Sequence, residues 1–399
     1  MKIKNLYIQE FKGLRDISIN FEKNDKPLPL IVLAGSNGSG KTRILESILR
    51  YFQDYLNYKQ NNIEAGIFYE EKEKNCISNV RDFFYGLESF SYCEANDPLR
   101  EKHIEIKNKL DILPKVIYVP TEINFQKMNV ASTTLVQEYK FINIVDTNLI
   151  KDIPSYIATK MISAILKNKN EKVGDVQKKV FNEINEIFEI LDIDVKVEDI
   201  SQDGKNMPIF TNSTGDEFDI NELSSGEKQL FLRTLAIKML NPENSIILID
   251  EPELSLHPKW QQRIVDVYRK IGKNNQIIIA THSPHILGSM KKENIMLLDK
   301  DDEGKIVIKT VDEYDSYGQP SDRVLKDIMG LETTRNPKVF KLLEEAGELV
   351  DKNEYESEEF KTKYKKLREI LGNKDEDLLL MDMDIQIRKK RGLKNVENE

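Results

Sequence analysis

The chain has 399 residues, with 59 Lys and Arg against 68 Asp and Glu, a net charge of −9, and 39% hydrophobic and 32% charged residues. This is the composition of a soluble globular protein with long exposed helices, large enough for one sizeable domain plus appendages. The acidic balance argues against uniform attraction to nucleic acid and leaves room only for a local basic patch. No apolar run approaches the roughly 20 residues that span a bilayer. The two cysteines, Cys76 and Cys93, lack metal-ligand spacing and read as reduced thiols.

In chain order, residues 1–11 alternate like a strand and lack the apolar stretch of a signal peptide, so a cytoplasmic protein is expected. A turn at 11–14 leads to a half-buried strand marked by Ile17, Ile19 and Phe21. Residues 28–33 form an apolar run of the kind buried on both faces of a sheet. That run enters Gly35-Ser36-Asn37-Gly38-Ser39-Gly40-Lys41-Thr42, a G-x-x-x-x-G-K-[ST] phosphate loop with a strand before it and a helix after it. The glycines let successive backbone N–H groups face phosphate oxygens, and the next helix adds its positive end. Lys41 is expected to reach the β- and γ-phosphates, and the Thr42 hydroxyl to ligate Mg²⁺. Ile44, Ile48, Leu49, Phe52 and Leu56 have helical spacing behind the loop.

Residues 60–105 show no clear period, and their aromatics (Phe68, Tyr69, Phe83, Phe84, Tyr85) are assigned to packing. Residues 115–120 read as another buried strand, followed by Thr121. Gln126 and Gln137 are candidates for a glutamine that senses the γ-phosphate, and nothing in their surroundings selects between them. Residues 143–192 read as a compact helical insertion, far shorter than a coiled-coil arm. Short strand signals fill 194–218.

Leu223-Ser224-Ser225-Gly226-Glu227 then opens a helix, forming a second anion-binding surface that a site with its own phosphate loop does not need. It makes sense if it caps the γ-phosphate held by another copy. The apolar run 246–249 ends in Asp250 and Glu251, at the strand edge where α/β proteins bind ligands. Asp250 is placed for the Mg²⁺ shell, partly through water, and Glu251 to orient or deprotonate the attacking water. Pro258 fits the first position of the following helix and Trp260 is assigned to packing. The strand 276–280 leads to His282, positioned to bond the γ-phosphate or place the water.

In this order the motifs resemble an ABC-type ATPase of the SMC/RecF-like group. GSNGSGKT is similar to the Walker A loop, LSSGEKQ to the signature, IILIDEPELSLHP to Walker B and the D-loop, and IIIATHSP to the switch histidine. Ser225 stands where glycine is common. The resemblance implies an α/β fold, a P-loop ATPase head with a mixed or parallel sheet and flanking helices. It also implies ATP and Mg²⁺ as ligands and a head-to-tail dimer or higher homo-oligomer. In that dimer Ser224, Ser225, Gly226 and Glu227 serve the neighbour's ATP, while Asp250, Glu251 and His282 serve the chain's own.

After closing strands at 295–298 and 306–310, the expected domain boundary lies at 315/316. Residues 316–399 read as helices too short and too polar for a core of their own, ending in a basic cluster at 388–391 that suits a helix C-terminus. The tail pattern resembles the PtuA-type ATPases of Septu and retron anti-phage systems. That resemblance implies a separate HNH nuclease docking near the C-terminal helices. Retron RNA or DNA, or a target DNA, stays open as a further partner, and no acidic nuclease constellation follows residue 300. The rival reading is a RecF-like repair ATPase that clamps DNA.

Overall fold

The computed structural model describes residues 1–61, 114–123, 140–201, 207–301, 303–310 and 315–396. Both cysteines, the aromatics at 68–85, Gln126 and Gln137 lie outside the described residues. Two compact units are present, Met1–Val324 and Leu325–Glu399.

The first unit opens with an antiparallel hairpin, β1 (Asn5–Phe11) and β2 (Leu14–Asn20). Its pairs Leu6↔Ile19 and Ile8↔Ile17 put one face into the core, as strict alternation requires. A two-residue hairpin, β3 (Glu22–Lys23) and β4 (Lys26–Pro27), leads to β5 (Leu30–Ala34). The phosphate loop follows, then α1 (Lys41–Asn61). Ile44, Leu45, Ile48, Leu49 and Phe52 form the buried stripe of α1, and Phe52 meets Phe141 edge-on at 5.9 Å.

Beyond β6 (Val116–Val119) and β7 (Ile142–Ile144) come α2 (Thr147–Lys151), α3 (Ile153–Lys167) and α4 (Val173–Leu191). A three-stranded antiparallel sheet follows, β8 (Lys196–Ile200), β9 (Pro208–Thr211) and β10 (Glu217–Asp219). Asn185 of α4 fastens β8 by bonding both the N–H and the C=O of Val197, at 2.7 and 2.9 Å. Phe188 of α4 stacks on Phe231 at 5.7 Å, and Phe210 of β9 meets Phe231 edge-on at 5.1 Å. Phe231 belongs to α5 (Ser225–Met239), so this aromatic trio joins the helical insertion and small sheet to the signature helix.

The remaining elements of the unit are β11 (Ile246–Asp250), α6 (Pro258–Gln261), α7 (Ile264–Lys270), β12 (Gln276–Thr281), α8 (Pro284–Leu287), β13 (Ile295–Lys300), β14 (Ile306–Thr310) and α9 (Ser321–Arg323). The main sheet is mixed but mostly parallel, in the order β14-β13-β5-β12-β11-β6-β7, with only β13 and β14 antiparallel. Every residue of β5, β6, β11 and β12 is buried, which explains their continuous apolar runs.

The second unit corrects two expectations. Its helices, α10 (Pro337–Asp351), α11 (Glu358–Leu371) and α12 (Glu376–Val396), do form a core, made of Leu343, Ala346, Leu349, Val350, Phe360, Leu367 and Leu378. Each apolar stripe is thin, but three short-linked helices pool them. Asn336 and Ser357 cap α10 and α11 as their sequence positions suggest. The basic cluster does not end a helix, because α12 runs on to Val396. Arg388 instead pairs with Asp351 (2.7 Å) and Asp384 (3.0 Å), and Lys389 with Glu356 (2.5 Å). Among the described residues no helix is long and apolar enough to cross a membrane.

Candidate active site

The sheet register assembles the site. Ala34 pairs with Thr281, and Ala280 with Asp250. The residues that follow these three strands therefore emerge side by side at one edge: Gly35, His282 and Glu251. On the far side of β11, Val119 pairs with Ile249, which brings Thr121 to the same edge.

The phosphate loop curls as its glycines suggest. At Gly35 a Cβ would lie 2.3 Å from the carbonyl oxygen of Leu298, so no larger residue fits between the loop and β13. Lys41 is buried and donates to the carbonyls of Gly35 (2.9 Å) and Ser36 (3.0 Å), and Ser39, within the loop, is also buried. Burial pulls the Lys41 pKa below the ordinary lysine value, against the opposing pull of Glu251, Glu253 and Asp250.

Thr42 Oγ1 lies 3.0 Å from both carboxylate oxygens of Asp250, and Thr121 Oγ1 donates to the same carboxylate at 2.6 Å. Burial pushes the Asp250 carboxyl up, while the two threonine hydroxyls and Lys41 hold it down and Glu251 adds to the rise. A hydroxyl and a carboxylate meeting below a phosphate loop suit Mg²⁺, a hard ion that takes oxygen ligands and usually shares them with substrate phosphates. Among the described residues no group of three or more His, Cys, Asp or Glu is placed to hold a metal ion, so such an ion would depend on those phosphates.

Glu251 has a left-handed backbone, φ +44°, a conformation costing a non-glycine residue on the order of 1–2 kcal/mol. Its N–H is fixed by the carbonyl of Ala280 at 2.9 Å. Its carboxylate oxygen Oε1 lies 3.0 Å from His282 Nδ1. Both side chains, with Asn37, Gly38, Gly40, Lys41, Thr42 and Arg43, line one cleft of about 270 Å³. Behind them sits Glu253, buried, accepting from Thr281 Oγ1 at 2.6 Å and from the His282 N–H at 2.9 Å. Burial raises the Glu253 carboxyl above its ordinary value.

The loop, Asp250, Glu251 and His282 thus come together within one chain. The signature residues line no part of that cleft. Ser224 caps α5 in a reciprocal box with Glu227: Glu227 N–H to Ser224 Oγ is 3.3 Å, and Ser224 N–H to Glu227 Oε2 is 3.0 Å. Ser224 and Ser225 are exposed, whereas Gly226 is buried against the carbonyl of Ser255.

Three side chains at the site carried no role in the sequence. Thr121 was visible only as the residue after an apolar strand, and its role needed the neighbour relation of β6 and β11. Glu253 sits in the turn after Glu251, but its burial depends on β12. Arg233 is a lone cation within the apolar run LFLRTLA, a signal of a charge carried into the core. It is 2% exposed and bonds the carbonyls of Pro120 (2.7 Å), Thr121 and Glu251 (3.4 Å).

The chain is similar to known proteins along most of its length. Residues 122–288 match the family described as "AAA domain, putative AbiEii toxin, Type IV TA system", and residues 1–127 match "AAA ATPase domain". The chain is 26% identical to the Septu protein PtuA of Bacillus thuringiensis over 388 residues, spanning 91% of this chain and 92% of that one. It is 26% identical to "Retron Vc95 probable ATPase" of Vibrio cholerae, spanning 75% and 74%. A solved Smc head bound to the C-winged helix domain of ScpA is 18% identical, with a TM-score of 0.40, covering 78% of this chain and 99% of that one. Residues 1–288 thus match AAA ATPase family models in two adjoining stretches, and the chain resembles the Septu protein PtuA and the retron ATPases.

Proposed function

We propose that this chain hydrolyses ATP at a site shared by two copies and uses the resulting dimer geometry to control a separate HNH-type nuclease in phage defence. The observation that carries the reading is the meeting of Thr42, Thr121 and Asp250 beside the phosphate loop, with Glu251 and His282 lining one cleft together with Thr42 and Lys41. Backbone N–H groups of residues 36–42 and the Lys41 ammonium hold the triphosphate. Thr42 and Asp250 would hold Mg²⁺, which would supply neutralising charge to the phosphates. Glu251 accepts a proton from, or orients, a water in line with the γ-phosphorus. His282, bonded to Glu251, fixes that carboxylate and faces the same phosphate. The work is positioning and electrostatics, and turnover is slow because dimer closure precedes it.

Ser224, Ser225, Gly226 and Glu227 serve the neighbour's γ-phosphate. The exposure of Ser224 and Ser225 at the start of a capped helix, away from the chain's own cleft, supports this. The similarity to PtuA over 91% of this chain, too long to leave out the whole tail, supports a partner nuclease bound near α10–α12. The chain itself then needs no nuclease site, and a nucleic acid would enter as trigger or target.

Glu251→Gln tests the reading. With Mg²⁺ and ATP it is expected to lose about 100-fold or more of its turnover and to accumulate as a dimer in sizing experiments. Adding Ser224→Arg should abolish the dimer and leave nucleotide binding to the single chain within a few-fold. Normal turnover by Glu251→Gln would overturn the assignment.

A further inference from the structure

A buried arginine outside the phosphate cleft joins the signature helix to the catalytic edge of the sheet. We propose that Arg233 is a positioning residue, which transmits the placement of α5 to the backbone of Glu251. The inference rests on the role assigned to Glu251 above.

Arg233 projects from the middle of α5, whose first turn carries Ser224 and Gly226. Its planar fork ends on three carbonyls from two adjacent strand ends. Nη2 donates to Pro120 at 2.7 Å and to Thr121, and Nη1 donates to Glu251 at 3.4 Å. These are the strand ends that supply Thr121 to Asp250 and Glu251 to the cleft. One guanidinium thus spans both supports of the site, a task suited to a rigid fork and not to an ammonium.

Glu251 is sensitive to such a clasp. Its left-handed backbone persists where its surroundings over-determine it. The Ala280 carbonyl holds its N–H, and Arg233 holds its C=O. If α5 shifts, the guanidinium moves with it, and the Glu251 peptide is pulled toward or away from the geometry that aims its carboxylate at the water. A second contact binds the start of α5 to the segment after Glu251: Gly226 lies so close to the Ser255 carbonyl that a Cβ there would be 2.6 Å from it. The helix is therefore tied to the Walker B end at both its first turn and its middle. A phosphate engaging Ser224 from one copy reaches, through this helix, the glutamate that serves the other phosphate. Each copy would then read its neighbour's nucleotide before cutting its own.

Arg233→Lys keeps the charge and removes the fork. It is expected to lower kcat about 10- to 100-fold at a temperature well below its Tm, the scale of a small misplacement at a reacting group. The Kd for a fluorescent ATP analogue should stay within about 3-fold of wild type, because the phosphate loop is untouched. In a double-mutant comparison, Ser224→Ala should cost much less kcat in the Arg233→Lys background than in wild type, because the path it acts through is already cut. Unchanged kcat, additive effects, or parallel loss of kcat and nucleotide binding would each overturn the proposal. If Arg233→Lys does not fold, Arg233→Gln, which retains a planar donor, reads the same quantities; a chain that tolerates neither has a purely structural arginine. If Glu251→Gln hydrolyses ATP normally, the parent reading fails first, and the two failures are told apart.

Discussion

The charges at the site are held in an environment that resists them. Asp250 is 2% exposed, and burial raises its carboxyl above the ordinary 3.8. A raised carboxyl pKa means that the stability it contributes is present below the unfolded value and is lost as pH rises through the folded one. Asp250→Asn removes that titration. Without nucleotide, its melting temperature should match wild type near pH 3.8 and exceed it increasingly as pH climbs, reaching a plateau once the folded carboxyl is ionised. With Mg²⁺ and ATP the order should reverse, because the amide supplies no charge for the ion. Thermal melts across pH, with and without Mg·ATP, check this; a nucleotide-free Asp250→Asn that is less stable at pH 8 than wild type would contradict it. The same residues show which placements were legible beforehand. Lys41 and Thr42 belong to a motif of eight consecutive residues, so their place beside the cleft could be read in one line of sequence. Thr121 and Arg233 act through space, on carbonyls and carboxylates contributed by other strands, and no local pattern carries that information.

Elements were legible where one periodicity ruled them. The four central strands are buried on both faces and read as apolar runs, and α1 shows its stripe. The tail was underestimated because each of its helices contributes only a few apolar residues, and their sum appears only once the three are packed. The signature helix shows a different limit. Its glycine reads as an opening for a phosphate, and the fold adds a second reason for it. Gly226→Ala would put a methyl 2.6 Å from the Ser255 oxygen and 3.3 Å from the Trp260 ring. The expected cost is roughly 1–3 kcal/mol in chemical denaturation, the range for forcing an extra carbon into a packed site. A variant as stable as wild type would show that α5 and the segment after Glu251 separate easily.

Among the described residues, each of the two units has buried apolar side chains packed within it. The second is small, and a core of that size supplies only about 3–5 kcal/mol. Phe360→Ala removes a buried aromatic from it, a change that costs about 3–5 kcal/mol. It is expected to melt α10–α12 while the ATPase unit keeps nucleotide affinity within about 2-fold, as read by circular dichroism, limited proteolysis and binding of a fluorescent analogue. Loss of nucleotide binding in the same variant would mean that the units fold as one.

The order of the main sheet bears on how the chain is made. The strand before the phosphate loop, β5, pairs with β12 on one side and β13 on the other. Both partners leave the ribosome roughly 250 residues after it, a separation that makes pairing slow. Until then β5 is an apolar strand with two open edges, the kind of segment that chaperones shield and that mispairs when exposed. The phosphate loop is synthesised well before the strands that flank its own strand, which are among the last of the unit to arrive. Capture of nucleotide by a nascent chain would therefore mark the closing of the sheet, and ATP in the cell would favour the finished fold over its precursors.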